Sequence, residues 1–379
     1  MWVVATPDLA HEVLHSEDTR YRAGTANHRI LPVLPQGTLL TLDGAAHRAR
    51  RRVLAPVFHG DSLAELAPII RDIAASEIAQ WPTGRPFAVL PRTRFMTLRI
   101  AARLLLGIEG HALVDELERN LSNVLRPYSM LAGIDWMARL GPASPQAFVE
   151  RRRAGFVRGV AQVRRARTRR PRAAPPDAVD VLRAATNSNG RPSDSEIADE
   201  LFALLLAGHE TTATALAWAI HLLASDPNTA KALSDPAASG AGPLTDAVIS
   251  EVLRLRPPLV DIVRELAEPA RLGGADLEAG TLILIPPSLI HQHTRPSPDA
   301  FIAERFLGRE PDRRTWVPFG GGERRCLGAS LALLELREIL AHIVERFELR
   351  SASERREYAR LYGTALIPER GGEVEMQPR

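Results

Sequence analysis

Phe319-Gly320-Gly321-Gly322-Glu323-Arg324-Arg325-Cys326-Leu327-Gly328 contains the only cysteine of the chain. Three successive glycines stand before it, and glycine tolerates φ > 0 and lets a backbone pass close to a flat ligand. An amphipathic helical pattern, Leu331 to Phe347, begins directly after it. The thiol is therefore expected at a helix N-terminus, facing unpaired N–H groups and the positive end of the macrodipole. Arg324 and Arg325 add positive charge, and both effects favour thiolate over thiol. A sulfur held in this way is a candidate metal ligand. One cysteine builds neither a Cys₄ or Cys₂His₂ zinc site nor an iron–sulfur cluster, and it forms no internal disulfide. A phosphate-cradling loop would need a Gly-Lys-Ser/Thr ending, which is missing; a buried structural cysteine is the plain alternative.

A single thiolate suffices for haem iron, whose in-plane ligands come from the porphyrin. The stretch resembles the haem-binding signature of the cytochrome P450 family, Phe-x-x-Gly-x-Arg-x-Cys-x-Gly, with matches at Phe319, Gly322, Arg324, Cys326 and Gly328. Toward the N-terminus, the capping signal Ser193-Asp194-Ser195-Glu196 opens the longest helical pattern, which runs to about Ala224. Its centre reads Ala207-Gly208-His209-Glu210-Thr211-Thr212. A threonine there can bond back to the carbonyl one turn earlier and bend the helix, and small Ala207 and Gly208 leave room beside it. A zinc-protease reading fails, because Ala213 stands where the second histidine would be required. The segment resembles the family's oxygen-activation motif, Ala/Gly-Gly-x-Asp/Glu-Thr-Thr. That resemblance places Ala207 and Gly208 beside haem and makes Glu210 and Thr211 the acid and hydroxyl of proton delivery. A helix interior with incidental polar groups is the alternative.

Asp246 to Arg256 reads as a helix stopped by Pro257-Pro258, with Glu251 and Arg254 in i,i+3 spacing. On its own this is a surface pair worth roughly a few tenths of a kcal/mol. It resembles the family's buried Glu-x-x-Arg pair, whose third member matches Arg305 in Ala303-Glu304-Arg305-Phe306; the family usually has proline where Ala303 stands. After Asp43, His47 and Arg51 share one helical face. They resemble the family's His-x-x-x-Arg helix, which implies that they grip a haem propionate, and a basic solvated face is the alternative. Arg264, ending the strand candidate 259–264, matches a further propionate-binding arginine. His291 and His293 lack the partners a metal site needs.

The signals follow the family's order along nearly the whole chain. Together they imply a mainly α fold with small β-sheets, one domain over residues 1–379, holding haem b between a long central helix and the cysteine loop. The family's proline-rich leader, first helix and first strand are not found before Trp2-Val3-Val4, so that strand is expected as an exposed edge. Thr6-Pro7-Asp8 starts a helix, 21–40 reads as a loop over the pocket, 66–81 and 98–106 as helices, and 87–90 and 281–285 as strands. By resemblance, 109–145 forms a lid. The arginines of 151–153 and 164–172 read as a solvated block, although taken alone they permit a nucleic-acid tail.

With 379 residues, 45% hydrophobic and 25% charged, the composition is that of an ordinary globular protein. No apolar run reaches the roughly 18 residues of a membrane span and no signal core opens the chain, so a cytoplasmic protein is expected, without membrane or nucleic acid as partner. The net charge is +3 and Lys231 is the single lysine, so almost all the positive charge is arginine, which suits carboxylate partners. The resemblance implies a monooxygenase, expected as a monomer, that inserts one atom of O2 into an apolar small molecule. Electrons would come from an acidic ferredoxin steered by Arg48, Arg50, Arg52, Arg313 and Arg325. A haem-binding or sensing protein and a peroxide-driven enzyme are the rival functions. Terpenoid, fatty acyl, steroid and polyketide substrates, as in secondary metabolism, are all compatible with the sequence.

Overall fold

The computed structural model describes residues 1–16, 19–107, 114–119, 151, 155, 177–185, 191–235, 242–294 and 296–379. Most of the expected lid and the basic run 164–172 lie outside them. Helices dominate: α1 (Pro7–His15), α2 (Ala23–Ile30), α3 (Gly44–Leu54), α4 (Asp61–Ile78), α5 (Leu90–Leu106), α6 (Ala178–Ala184), α7 (Asp194–Ala224), α8 (Pro227–Ser234), α9 (Pro243–Leu255), α10 (Pro287–His291) and α11 (Ala329–Arg346). No described helix is long and apolar enough to cross a membrane.

The strands are short. β1 (Trp2–Val3), β2 (Tyr21–Arg22), β4 (Ile262–Leu266) and β7 (Leu282–Ile285) form one sheet in the order β1-β7-β4-β2, with β1 parallel to β7 at its edge. β3 (Phe87–Ala88), β8 (Phe347–Ser351) and β11 (Glu373–Pro378) form a second, ordered β3-β11-β8. The hairpins β5–β6 (Ala270–Leu272, Ala275–Leu277) and β9–β10 (Ala359–Tyr362, Ala365–Pro368) complete the set.

Two apolar cores follow from this division. The larger joins α4, α5, α7, α9 and α11, with Phe202, Leu216, Trp218 and Ile339 fully enclosed. The smaller lies between α1 and the first sheet and is built from Val4, Val13, Leu14, Tyr21, Ile283 and Ile285. α7 crosses the larger core and packs most extensively on α5. Its start is fixed as the sequence predicts: Ser193 Oγ accepts from the Glu196 N–H at 3.2 Å, and the Ser193 N–H donates to Glu196 at 2.7 Å.

The segment 21–40 departs from its reading as a loop, since β2 and α2 occupy its first part. The cause is a cap brought from a distance. Asp43 accepts from the Thr25 N–H at 2.9 Å, from the Thr25 hydroxyl at 2.7 Å and from the Gly24 N–H. Gly24 is required there, because a Cβ would come within 2.5 Å of the Thr41 and Leu42 carbonyl oxygens.

Candidate active site

α11 starts at Ala329, so Cys326 precedes the helix by a short turn. The Cys326 N–H donates to the Phe319 carbonyl at 2.9 Å and closes the loop, while the Phe319 ring stands edge-on to Trp316 at 5.9 Å. Two of the glycines also meet a protein neighbour. Gly322, at φ 61°, lies against the end of α1, where a Cβ would come within 2.1 Å of the Leu14 carbonyl oxygen; one on Gly321 would come within 2.9 Å of the His15 ring. One close approach they permit is therefore to α1. A Cβ on Gly328 would meet Phe58 at 3.9 Å, ordinary contact.

Cys326 is accessible at its surface yet enclosed by protein at longer range, as for a side chain facing an internal space. The expected drop in its pKa does not occur in the polypeptide alone. Burial pushes the thiol up, against the Gly328 N–H, Arg325 and Arg51, which pull it down. Desolvation outweighs these local charges.

The central helix opens at the expected place. Along a stretch of α7 whose other residues are buried, Gly208 is exposed and Leu206, Ala207 and Thr211 are half-buried. A Cβ on Gly208 would meet nothing within 4 Å. Ala207, Gly208 and Thr211 share one face by their i, i+3 and i+4 spacing, and the Thr211 hydroxyl donates back to the Ala207 carbonyl at 2.8 Å. Glu210 lies elsewhere on the helix. Its carboxylate accepts from Arg94 Nε at 3.0 and 2.9 Å and from Arg94 Nη2, and the Arg94 guanidinium stacks on the Tyr362 ring at 4.9 Å. Thr97 and Thr93 of α5 donate to the carbonyls of His209 and Ala213, both at 3.0 Å. The acid and the hydroxyl are thus neighbours in sequence with separate surroundings.

His47 is buried on α3 with Arg51 and Arg324 close enough to repel its proton; burial first, then these two guanidiniums, bring its pKa down to about 3. Arg51 is itself lowered by burial and by Arg325 and raised by Cys326. Arg324 donates to the Leu42 carbonyl at 2.7 Å, and Arg264 is buried in β4, donating to the Val263 carbonyl at 2.8 Å. Converging donors that repel one another suit a ligand bringing negative charge, as two propionates do. Together with the open face at Gly208 and the accessible sulfur, this donor set fits haem.

Glu251, Arg254 and Arg305 are buried together. Glu251 accepts from Arg254 Nε at 2.7 Å, from Arg305 Nε at 3.0 Å and from the Ile302 N–H at 2.9 Å. The arginines also donate to the carbonyls of Pro296, Ser297, Pro298 and Ala300. His291 is engaged with backbone on both sides, since Nδ1 donates to the Arg254 carbonyl at 2.8 Å and Nε2 accepts from the Val317 N–H at 2.9 Å. Two partners lacked a local signature. Arg50, expected on the electron-donor face, instead pairs with fully buried Glu200, which also accepts from the Leu39 N–H at 3.0 Å. Arg94 lies in a helix whose only hint was Thr93 and Thr97, one turn apart on an apolar face.

A sequence model of the family described as Cytochrome P450 matches residues 1–376. The chain belongs to the cytochrome P450 family. It is 33% identical over 394 residues to a Mycobacterium tuberculosis protein named "Putative cytochrome P450 135B1", covering all of this chain and 82% of that one. Among solved structures it resembles the retinoic-acid-bound cyanobacterial CYP120A1, with a TM-score of 0.85, 25% identity, and coverage of 100% of this chain and 89% of that one. It also resembles a six-coordinated P450 of Thermus thermophilus, with a TM-score of 0.77, 26% identity, and coverage of 99% and 91%. This P450 is accordingly an oxidoreductase of the haem-thiolate monooxygenase class, with haem b as cofactor.

Proposed function

We propose that this P450 oxygenates an apolar small molecule in the space between Cys326 and the Ala207–Gly208 face of α7. The observation that carries the reading is the opening at Gly208, where a central helix buried along its length has empty space beside it. Haem, when bound, supplies the iron at which dioxygen is activated. Cys326 would hold that iron through its sulfur, and His47, Arg51, Arg264 and Arg324 would neutralise the propionates. Phe319, Gly322 and Gly328 shape the loop that presents the sulfur. Glu251, Arg254 and Arg305 hold the ground beneath that loop.

Thr211 holds its proton on the Ala207 carbonyl and shares the face of Gly208, so it is the hydroxyl placed to relay a proton to the reacting oxygen. Glu210 supplies protons only when its carboxylate exchanges Arg94 for water or Thr211. Apolar walls come from Leu259 to Ile262 and the 363–366 turn, which meet through the Leu259–Ala365 bridge and the Val260 N–H donating to the Thr364 carbonyl at 3.0 Å. Exposed Arg48, Arg52, Arg313 and Arg325 suit an acidic ferredoxin as electron donor.

The test is the absorption spectrum of purified protein, reduced and exposed to carbon monoxide, beside Cys326→Ser. The expected result is a strongly red-shifted Soret band that the variant loses. An unshifted band in the wild type sinks the thiolate assignment and the oxygenase reading with it.

A further inference from the structure

A second cavity lies at the far end of α7. Trp218, Leu222, Leu255, Arg256, Phe301 and Arg356 contribute to its lining, and its volume is about 690 Å³. That size is within the range of small-molecule sites. His221, also in the lining, is ten residues beyond Thr211, about 15 Å along the helix. The cavity is therefore distinct from the space beside Cys326.

Its three arginines and three acids are unevenly paired. Arg256, Arg355 and Arg356 all line it, and none has an ion-pair partner among the described residues. Arg256 is half-buried with its guanidinium on the face of Trp218 at 4.9 Å, and its Nε has no hydrogen-bond partner among the described residues. Its only side-chain hydrogen bond among the described residues is Nη1 to the neighbouring Leu255 carbonyl at 3.2 Å. Arg356 is close enough to repel it. Of the acids in the lining, Glu357 is committed to Arg370, at 3.5 Å from its side chain and 2.8 Å from its N–H, while Asp299 and Glu354 are exposed at the rim. Two arginines kept together with only the weaker attraction of exposed Asp299 on Arg256, and with no carboxylate hydrogen-bonded to either among the described residues, form a receptor for one, since guanidinium binds carboxylate as a planar fork. Leu222, Leu255 and Phe301 are half-buried and supply an apolar wall beside them.

We propose that this cavity is a second ligand site, taking a small organic anion whose carboxylate lies between Arg256 and Arg356 and whose short apolar tail rests on Leu222, Leu255 and Phe301. The site adjoins the ground under the cysteine loop, because Asp299 and Phe301 flank Ala300, whose carbonyl accepts from Arg254 at 3.0 Å. It does not depend on the substrate or on the proton relay of the haem side.

Calorimetric titration of the haem-loaded protein with hexanoate, imidazole saturating the iron side throughout, tests the proposal. The expected result is one hexanoate per chain, with affinity lowered about tenfold in Arg356→Gln and abolished in the Arg256→Gln/Arg356→Gln double variant. Hexanol should show no comparable binding. Arg356 is exposed, so its single variant keeps the test alive if the double variant fails to take up haem. Hexanoate binding that is unchanged in Arg356→Gln, or hexanol binding as tightly, overturns the site. Either outcome leaves the carbon monoxide spectrum untouched, so the failure of this proposal is separable from that of the oxygenase reading.

Discussion

Glu335 stands on α11 with its side chain buried and its Oε2 without a hydrogen-bond partner among the described residues. Burial pushes its pKa up to about 8, so the carboxyl is neutral in the fold at neutral pH. Because the folded value exceeds the unfolded one, the fold holds more protons than the unfolded chain. Stability is therefore highest below the unfolded pKa and is lost as pH rises toward the folded pKa of about 8. Glu335→Met removes this dependence. Its urea midpoint, compared with wild type between pH 4.5 and pH 8, should show an advantage that grows with pH to roughly 3 kcal/mol or more. A difference that stays constant with pH contradicts the assignment. At this scale the sequence distinguished residues by motif and missed those defined by a partner. Glu251 and Arg254 were legible because their spacing is local. Arg94 was not, because nothing in its own helix announces that Glu210 lies across from it.

The stretch around α9 shows what one buried carboxylate does for several elements. Glu251 gathers two guanidiniums and the Ile302 N–H, and the guanidiniums in turn gather carbonyls between Pro296 and Ala300. Glu251→Ala strands two buried positive charges, a loss of about 3–5 kcal/mol. Little haem should be retained in the purified variant and its urea midpoint should fall. Wild-type haem content and stability would remove the triad from the account of the site. Among elements, α7 was readable from its capping residues and its length, and α11 from its periodicity. α2 was hidden, because the carboxylate that caps it belongs to Asp43, beyond an intervening turn. The glycines of the cysteine loop are legible as positions of close approach, but the contact with Leu14 and His15 has no local signal.

For the molecule as a whole, the positive charge is almost entirely arginine, and several of these arginines are exposed near the cysteine loop in sequence or on α3. Arg52, Arg313 and Arg325 are exposed there, and exposed Arg48 meets Glu323 at 3.3 Å. Reduction by an acidic ferredoxin should slow steeply as salt rises from low to physiological ionic strength, where the screening length is about 8 Å. A reduction rate indifferent to salt rules out steering. The two apolar cores were only partly foreseeable: the helical one follows from periodicity, whereas the small one exists because α1 folds back on strands from the other end of the chain. That return has a consequence for the order of events during synthesis. Leu14 leaves the ribosome well before Gly322, yet the cysteine loop packs against α1. The N-terminal part must therefore wait, and the floor beneath Cys326 is finished only after the cysteine loop itself has been made.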